Sequence, residues 1–272
     1  MPYVYGQSGG KSIMVQLDSV TQEVLDVIND KRFSRTGAFN LRQNGTSICH
    51  GDSEHIKIKK KADKPGIDIY IDGKTRGEAV YIPVVVSVSG MKDLVYNDFY
   101  IEDGADVEII AGCGIHNSGC NESRHDGVHT FHVGKNANVR YEEKHYGEGN
   151  GSGARVLNPV TNIFVGESSV FTLDTAQIKG VDSTIRETKV ELDKNARLYV
   201  TERLMTEGEQ TAESDIEVQL NGADSSAQIV SRSVGKGRSV QTFHPMAVGN
   251  AKCHAHIQCD SIIMDNAEVG SI

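Results

Sequence analysis

The sequence predicts a mainly β protein built from a stacked repeat, with one short helix near its N-terminus. Three patterns lead to this prediction: a helical spacing of apolar residues near residue 20, an alternation of apolar and polar residues in later segments, and a turn motif that recurs along the second half. The 272 residues are enough for one large domain or for a main domain with a small appendage.

The helix is predicted from apolar residues on one helical face. The spacing i, i+4, i+7 and i+8 is filled by Val20, Val24, Val27 and Ile28, which is typical of an amphipathic helix. Ser19 and Gln22 are spaced as a capping box, and we expect the helix to end near Asp30. We therefore divide the chain into an N-terminal helical segment, residues 1–35, and a β domain, residues 36–272.

The β domain is predicted from a period of two. Apolar and polar residues alternate in residues 56–59, 67–72 and 216–220, so each such strand has one face on a core and one in water.

A turn, a small residue and an apolar residue recur in six segments, which begin at Asp103, Lys135, Glu167, Lys194, Ser225 and Asp265. Aligning their apolar residues gives spacings of 32, 31, 28, 31 and 40. Such a period is typical of a solenoid, because each unit can bury its apolar face only on its neighbours. A parallel β-helix from about residue 75 fits this pattern. An antiparallel sandwich with evenly spaced turns fits it almost equally well.

Composition excludes several classes of protein. The net charge of −9 argues against a general binder of nucleic acid or of anionic membranes. The longest apolar stretch, residues 82–88, is far too short to span a bilayer. The N-terminus lacks the features of a secretory signal, so we expect a cytoplasmic protein. Its five cysteines are then expected to be reduced thiols.

Cysteine and histidine concentrate in two windows, residues 113–145 and 244–259, which hold all but three of them. Thiolate and imidazole select zinc, copper or iron–sulfur species, so the clustering indicates a metal site. The spacings are not those of a structural zinc site. On a regular strand His254 and His256 would lie on the face opposite Cys253 and Cys259. Taken alone, Cys253 or Cys259 is more often a core residue than a ligand.

Enzyme motifs are missing. Residues 235–239 lack the Walker spacing, and the sequence contains no Gly-x-Ser-x-Gly elbow. A β-helix enzyme acting on carbohydrate stays open as an alternative, as does a stable metal-binding structural protein.

Several motifs resemble one family in the order that the family has them. They lie at residues 111–117, 124–131, 143–149, 177–184, 220–222, 231–234 and 259–264. Over roughly residues 35–272 the chain resembles the SufB/SufD family of iron–sulfur cluster assembly scaffolds, and most of all the short SufB-like proteins of anaerobic bacteria and archaea.

The resemblance implies a right-handed parallel β-helix that acts as a non-catalytic scaffold carrying a transient iron–sulfur cluster. It implies three partners: a SufC-like ABC-type ATPase, a second SufB/SufD-like subunit that is either another copy or a paralogue, and a sulfur donor. From the composition we expect neither nucleic acid nor a membrane as a partner. The family's His-Glu-Ala motif and its C-terminal helical segment, which docks on the ATPase, have no counterpart here. We therefore expect the docking segment to be absent from this chain.

The resemblance also implies roles for particular residues. Cys113 matches a cysteine that receives or relays sulfur, His129 a histidine inside the β-helix, and Gln177 a residue lining a tunnel. The usual cluster-bearing cysteine is replaced by Glu268. The candidate residues for sulfur and cluster handling are therefore Cys113, Cys120, His129, Gln177, Cys253, Cys259 and Glu268. The candidate metal ligands are Cys113, His116, His125, His254 and His256.

A thiol must be deprotonated to accept sulfur or bind iron, and nearby basic groups lower its pKa. We expect His116, together with basic residues on neighbouring turns, to do this for Cys113.

Overall fold

The computed structural model describes residues 3–8, 11–28 and 37–272. Within these ranges it contains one helix, α1 (Ser19–Ile28), and 21 strands. In chain order the strands are β1 (Tyr3–Ser8), β2 (Lys11–Gln16), β3 (Ala38–Gln43), β4 (Thr46–Gly51), β5 (Ile56–Lys60), β6 (Gly66–Ile71), β7 (Arg76–Val86), β8 (Lys92–Ile101), β9 (Asp106–His116), β10 (Ser123–Val133), β11 (Asn138–Glu148), β12 (Arg155–Leu157), β13 (Val160–Val165), β14 (Val170–Lys179), β15 (Ser183–Leu192), β16 (Arg197–Thr206), β17 (Thr211–Leu220), β18 (Ser225–Gly235), β19 (Val240–Gly249), β20 (Cys253–Ile263) and β21 (Glu268–Ser271).

The strands form two sheets that face each other. One has the order β2-β1-β4-β3-β7-β9-β11-β14-β16-β18-β20, and the other has the order β21-β19-β17-β15-β12-β10-β8-β6-β5, with β13 between β10 and β15. From β7 onward neighbouring strands in both sheets run parallel. The chain is thus a parallel β-helix of about 7 turns. The predicted β-helix is confirmed, and the antiparallel sandwich is wrong.

The repeat seen in the sequence is one turn of the solenoid. Val107 pairs with Val139 and Val139 with Phe171, so these turns take 32 residues, whereas later turns are shorter. The spacings between the recurring sequence segments agree with the lengths of these turns to within two residues, as far as the turn that contains Ala227. The last spacing of 40 is wrong, because Val269 lies in the opposite sheet and pairs with Gln241. The true equivalent of Ala227 is Ala255.

The corners explain why a small residue recurs. Asn136 and Asn195 adopt positive φ angles of 54° and 55°, a left-handed conformation that asparagine tolerates better than most residues. The alanine that follows each of them, Ala137 or Ala196, is buried. A small side chain therefore fills the corner where the chain passes from one sheet to the other.

Large apolar side chains fill the space between the sheets in the middle turns. Phe99 stacks on Phe131, with ring centroids 4.3 Å apart, and Phe171 meets Phe131 edge to face. All three rings are fully buried. The polar interior described below is therefore surrounded by a well-packed apolar core.

Helix α1 packs on the outer face of β9. Val24 and Ile28 are fully buried, and they lie against Gly114 and Gly112, where a Cβ atom would come within 2.2 Å and 2.8 Å of them. The glycines therefore allow the helix to sit directly on the strand that carries Cys113.

The predicted capping box is wrong. The N-cap is Asp18, whose Oδ1 accepts a hydrogen bond of 2.8 Å from the backbone N–H of Thr21. The predicted end of the helix near Asp30 lies outside the described residues. The segment 1–35 also contains the antiparallel pair β1 and β2, and its separation from residues 36–272 stays a prediction. No helix in the described ranges is both long and apolar enough to span a bilayer.

Candidate functional site

The interior of the solenoid carries a run of buried polar side chains through its middle turns. They are Asp93, Asn97, His125, His129, Glu143, His145, Thr175, Gln177, Arg186, Glu202, Ser214 and Ser231. Burying charged groups is costly unless they are paired and hydrogen-bonded. An interior of this kind, inside a fold that could be filled with apolar side chains, is the strongest candidate for a functional site.

Cys113, His145 and Gln177 form a column in the interior, with the cysteine at one end. Cys113 on β9 is in register with His145 on β11, and His145 is in register with Gln177 on β14. Adjacent strands lie about 4.8 Å apart, so the three side chains stand at successive steps along the solenoid. All three are buried. The sequence predicted Cys113 and Gln177 but not the histidine between them.

A second column lies two residues away on the same strands. It runs from Glu143 through Thr175, Glu202 and Ser231 to Cys259 on β20. The first four residues are buried and Cys259 is exposed. This column connects the interior around Cys113 with a surface thiol on the last turns.

Glu143 and Arg186 are the centre of the interior network. Arg186 donates from Nη1 to Oε2 of Glu143 at 2.5 Å, and the hydroxyl of Tyr141 donates to Oε1 of Glu143 at 3.1 Å. Burial would raise the pKa of Glu143, but Arg186 and His145 outweigh it and hold that pKa well below its usual range. Glu143 is therefore a carboxylate, and Arg186 neutralises it.

Arg186 also faces Glu202, with Nε 3.8 Å from Oε2. The hydroxyls of Ser214 and Ser231 donate to the two carboxylate oxygens of Glu202, at 2.8 Å and 2.9 Å. One guanidinium thus bridges two buried carboxylates from different turns.

At the other end, Asp93 accepts two hydrogen bonds from Arg42, at 2.8 Å and 2.6 Å, and lies 3.0 Å from Nδ1 of His125. Burial opposes ionisation of Asp93, but Arg42 and His125 lower its pKa far below the usual range. This end of the network is therefore also ion-paired.

His129 is held in one tautomer by its neighbours. Because the Tyr141 hydroxyl gives its proton to Glu143, it must accept from Nδ1 of His129, which is 2.7 Å away. Nε2 then accepts from the amide of Asn97 at 3.4 Å. Burial lowers the pKa of His129 to about 4, so this imidazole is neutral at pH 7.

This pKa predicts a pH dependence of stability. The ordinary pKa of histidine is 6.5, so between pH 6.5 and about 4 the unfolded chain binds a proton that folded His129 does not. The contribution of His129 to the free energy of unfolding is fully present above pH 6.5. It is lost as the pH falls towards 4, by on the order of 3 kcal/mol. Urea unfolding at a series of pH values should show a shallower fall in His129→Gln than in the exposed control His132→Gln. An identical fall in both variants would contradict the assignment.

Some interior polar atoms have no hydrogen-bond partner within the described part of the chain. Among them are Oδ1 of Asn97, Nε2 of His125 and Nε2 of Gln177. Buried polar atoms in native proteins are nearly always satisfied, and exceptions commonly mark function. Here they are spread along the interior from the first turns to the middle.

A cavity of about 840 Å³ opens beside the first turns. Its walls include Arg42, Val84 and Asn97, together with Lys60 and Lys64. Val84 is in register with Cys113 on the next strand, and Asn97 with His129. The cavity therefore comes within one strand of the interior thiol.

The thiol of Cys113 is buried, 4% exposed, in an apolar cluster with Val84, Ile115 and Leu157. Burial raises its pKa well above the ordinary value, the charge of Glu143 adds to this, and Arg186 only partly opposes it. The expected activation by His116 is wrong. That side chain points to the other face of β9, where Nδ1 lies 3.2 Å from Glu148.

The other predicted residues lie apart from one another. Cys120 is exposed after β9, and Cys253 packs against the core. His254 and His256 are exposed and in register with Ser226 and Gln228, on the face opposite Cys253 and Cys259, as the alternation indicates. Glu268 is exposed at the start of β21. The structure does not gather the five predicted metal ligands, Cys113, His116, His125, His254 and His256, into one group.

Sequence reasoning gave no role to Glu143, His145, Arg186 and Glu202. A signal was present, because charged residues occupy inward positions of alternating strands in β11, β15 and β16.

Comparison with known proteins places this chain in one class, that of iron–sulfur cluster assembly proteins. The model of the SUF system FeS cluster assembly SufBD core domain matches residues 97–268, which include most of the polar interior. The chain belongs to the SufBD family, as the motifs predicted.

Two relatives agree with this assignment. An iron–sulfur cluster assembly SufBD family protein of Methanocaldococcus jannaschii is 21% identical over 93% of this chain and 84% of its own length. A SufBD family protein of Archaeoglobus fulgidus is 22% identical over 78% of this chain and 56% of its own length.

Proposed function

We propose that this chain is the scaffold of a Suf-type assembly complex, which receives sulfur on Cys113 and passes it through the polar interior to a transient cluster near Cys259. The observation that carries the proposal is the pair of in-register columns. One begins at Cys113, and the other ends at Cys259.

The chemistry at Cys113 requires a base, because its thiol is protonated at rest. His145 stands on the next strand in register, and burial lowers its pKa despite the neighbouring Glu143, so its imidazole is neutral. Its Nδ1 lies 3.4 Å from Nη2 of Arg186 and accepts from it, so His145 must turn away from that guanidinium before it can take the proton of Cys113. The thiolate attacks the outer sulfur of a donor persulfide and forms a new S–S bond. The S–S bond of the donor breaks, and the donor leaves as a thiolate that takes up the proton.

Neither column has a thiol between Cys113 and Cys259. The sulfur therefore leaves Cys113 as HS⁻ when an external two-electron reductant, such as a dithiol, cleaves the persulfide S–S bond and restores the Cys113 thiol. Nε2 of Gln177 is a donor without a partner in the described residues and could hydrogen-bond that anion, whereas the charge of Arg186 is already matched by Glu143 and Glu202.

Cys253 and Cys259, with Glu268 near the same end, offer few ligands to a cluster. A site with few thiolates suits release to an acceptor better than a saturated tetrathiolate site does.

Partners follow from the burial of Cys113. A donor protein cannot reach a thiol that is 4% exposed unless the solenoid opens. We assign that opening to a SufC-like ABC-type ATPase, acting in the cytoplasm on this chain paired with a second SufB/SufD-like subunit. ATP hydrolysis belongs to the partner, and this chain is not itself an enzyme.

The test is anaerobic purification after co-expression with a SufC-like ATPase, with assays of iron and acid-labile sulfide. The wild type is expected to hold iron and sulfide in near-equal amounts, and Cys113→Ser to lose the sulfide while it stays folded. Cys49→Ser is the matched control, because Cys49 is equally buried but lies outside both columns. Sulfide that persists in Cys113→Ser, or that falls equally in both variants, would overturn the role of Cys113.

A further inference from the structure

A separate group of ligating side chains lies on the outside of the solenoid. Glu213 and Asp215 project from β17, and His244 projects from β19 in register with Asp215. Nδ1 of His244 is 2.6 Å from Oδ1 of Asp215 and 3.9 Å from Oε1 of Glu213. None of the three belongs to the interior network.

We propose that Glu213, Asp215 and His244 form a binding site for a divalent first-row metal ion. One ligand atom from each residue can be chosen so that all three lie within 4.8 Å of one another. Ligand atoms held about 2.1 Å from one ion are at most about 4.2 Å apart. A shift of a few tenths of an ångström in exposed side chains would therefore bring all three onto the ion.

The local charge favours a cation. Within the described ranges, His244 is within ion-pair distance of Glu213 and Asp215. No lysine or arginine of these ranges is that close to either carboxylate. A third carboxylate, that of Glu187, stands opposite Asp215 on the neighbouring strand β15. With a neutral imidazole, this patch holds three carboxylates, and the lysine nearest to it, Lys189, is in register with Glu217 rather than with Asp215.

The donor set defines the class of metal. Two carboxylates and one imidazole, with no thiolate, suit Fe²⁺, Mn²⁺ or Zn²⁺ rather than the soft ion Cu⁺. The Asp215–His244 hydrogen bond would be exchanged for two bonds to the ion, and Nδ1 would lose its proton.

A cavity beside Asp215 and His244 leaves room for a further ligand of the ion. It has a volume of about 400 Å³ and is lined by Asp215 and His244, by apolar groups of Pro245 and Met246, and by the charged residues Glu187, Lys189 and Glu217, but not by Glu213. Three protein ligands leave coordination positions open, as in metal sites that bind a further ligand. Water or a small oxygen ligand could fill them from the cavity.

The site can be tested with Mn²⁺ alone, because this ion prefers oxygen and nitrogen ligands and leaves the five cysteines out of the result. Free Mn²⁺ is measured by electron paramagnetic resonance as the ion is added to the purified chain. One saturable site is expected. Loss of even an outer-shell partner costs about 10–100-fold in metal affinity, so His244→Ala and Asp215→Asn should each weaken binding by about tenfold or more.

The control is His256→Ala, which removes an exposed histidine from the other sheet and should bind Mn²⁺ like the wild type. Fe²⁺ added without oxygen should displace the Mn²⁺. Absence of a saturable site, or equal affinity in the wild type and His244→Ala, would overturn the proposal. Cys113→Ser should bind Mn²⁺ normally, so this result is independent of the sulfur-handling role.

Discussion

Arg186→Met is expected to lower the free energy of unfolding by about 3–5 kcal/mol, the cost of breaking a buried ion pair by removing one partner. Arg186 is buried between Glu143 and Glu202. Methionine would leave both carboxylates inside the solenoid without a compensating charge. The volume of the side chain is largely kept, so the loss reports charge rather than a cavity.

Arg140→Met is the matched control, because Arg140 also pairs with several carboxylates, those of Glu108, Glu142 and Asp174, but is half exposed. Exposed ion pairs contribute about 1 kcal/mol or less. Urea unfolding at pH 7 should separate the two variants clearly. Adding Glu143→Gln and Glu202→Gln to Arg186→Met should recover part of the loss, because the stranded charges are removed. Equal losses in Arg186→Met and Arg140→Met would show that Arg186 does not compensate the buried charges of Glu143 and Glu202.

Gly114→Ala is expected to displace helix α1 from the solenoid. The added Cβ would lie 2.2 Å from Cγ1 of Val24, which is far inside van der Waals contact, so the helix must move. Overpacking of this kind costs about 1–3 kcal/mol. The cost should appear in the docking of the helix more than in the solenoid, because each solenoid turn is held by its neighbours.

The measurement is the rate of limited proteolysis within the first 36 residues, compared with the melting temperature of the whole chain. Gly114→Ala should be cut faster, whereas Gly270→Ala should not, because a Cβ at Gly270 meets nothing within 4 Å. Combining Gly114→Ala with Val24→Ala removes the clashing methyl and should restore protection. Failure of that rescue would mean that Val24 does not set the fit of the helix.

The fold was largely predictable from the sequence because its signals are local. The spacing of apolar residues predicted α1, and the alternation of apolar and polar residues predicted the strands. The recurring corner residues predicted the length of one turn. The last step of the repeat was wrong because a corner motif occurs at the edges of both sheets. The motif alone does not show to which sheet the strand after Asp265 belongs.

The interior site was only partly predictable because it depends on register between distant turns. Motifs marked Cys113, His129 and Gln177, but the position of Arg186 between Glu143 and Glu202 follows from the lengths of two turns. The expected activation of Cys113 by His116 was wrong for a local reason. Residues three apart on a strand point to opposite faces. Besides burial, the charges of Glu143 and Asp93 raise the pKa of Cys113, and the charge of Arg186 partly opposes them.

The burial of Cys113 also determines how this chain meets oxidants. Oxidation to sulfenic acid and beyond proceeds through the thiolate and needs access, and Cys113 is both buried and protonated. Cys120 and Cys259 are exposed and would react with peroxide first. The solenoid thus keeps the Cys113 thiol reduced until the structure opens. The burial that slows sulfur uptake by Cys113 also protects this thiol from oxidation.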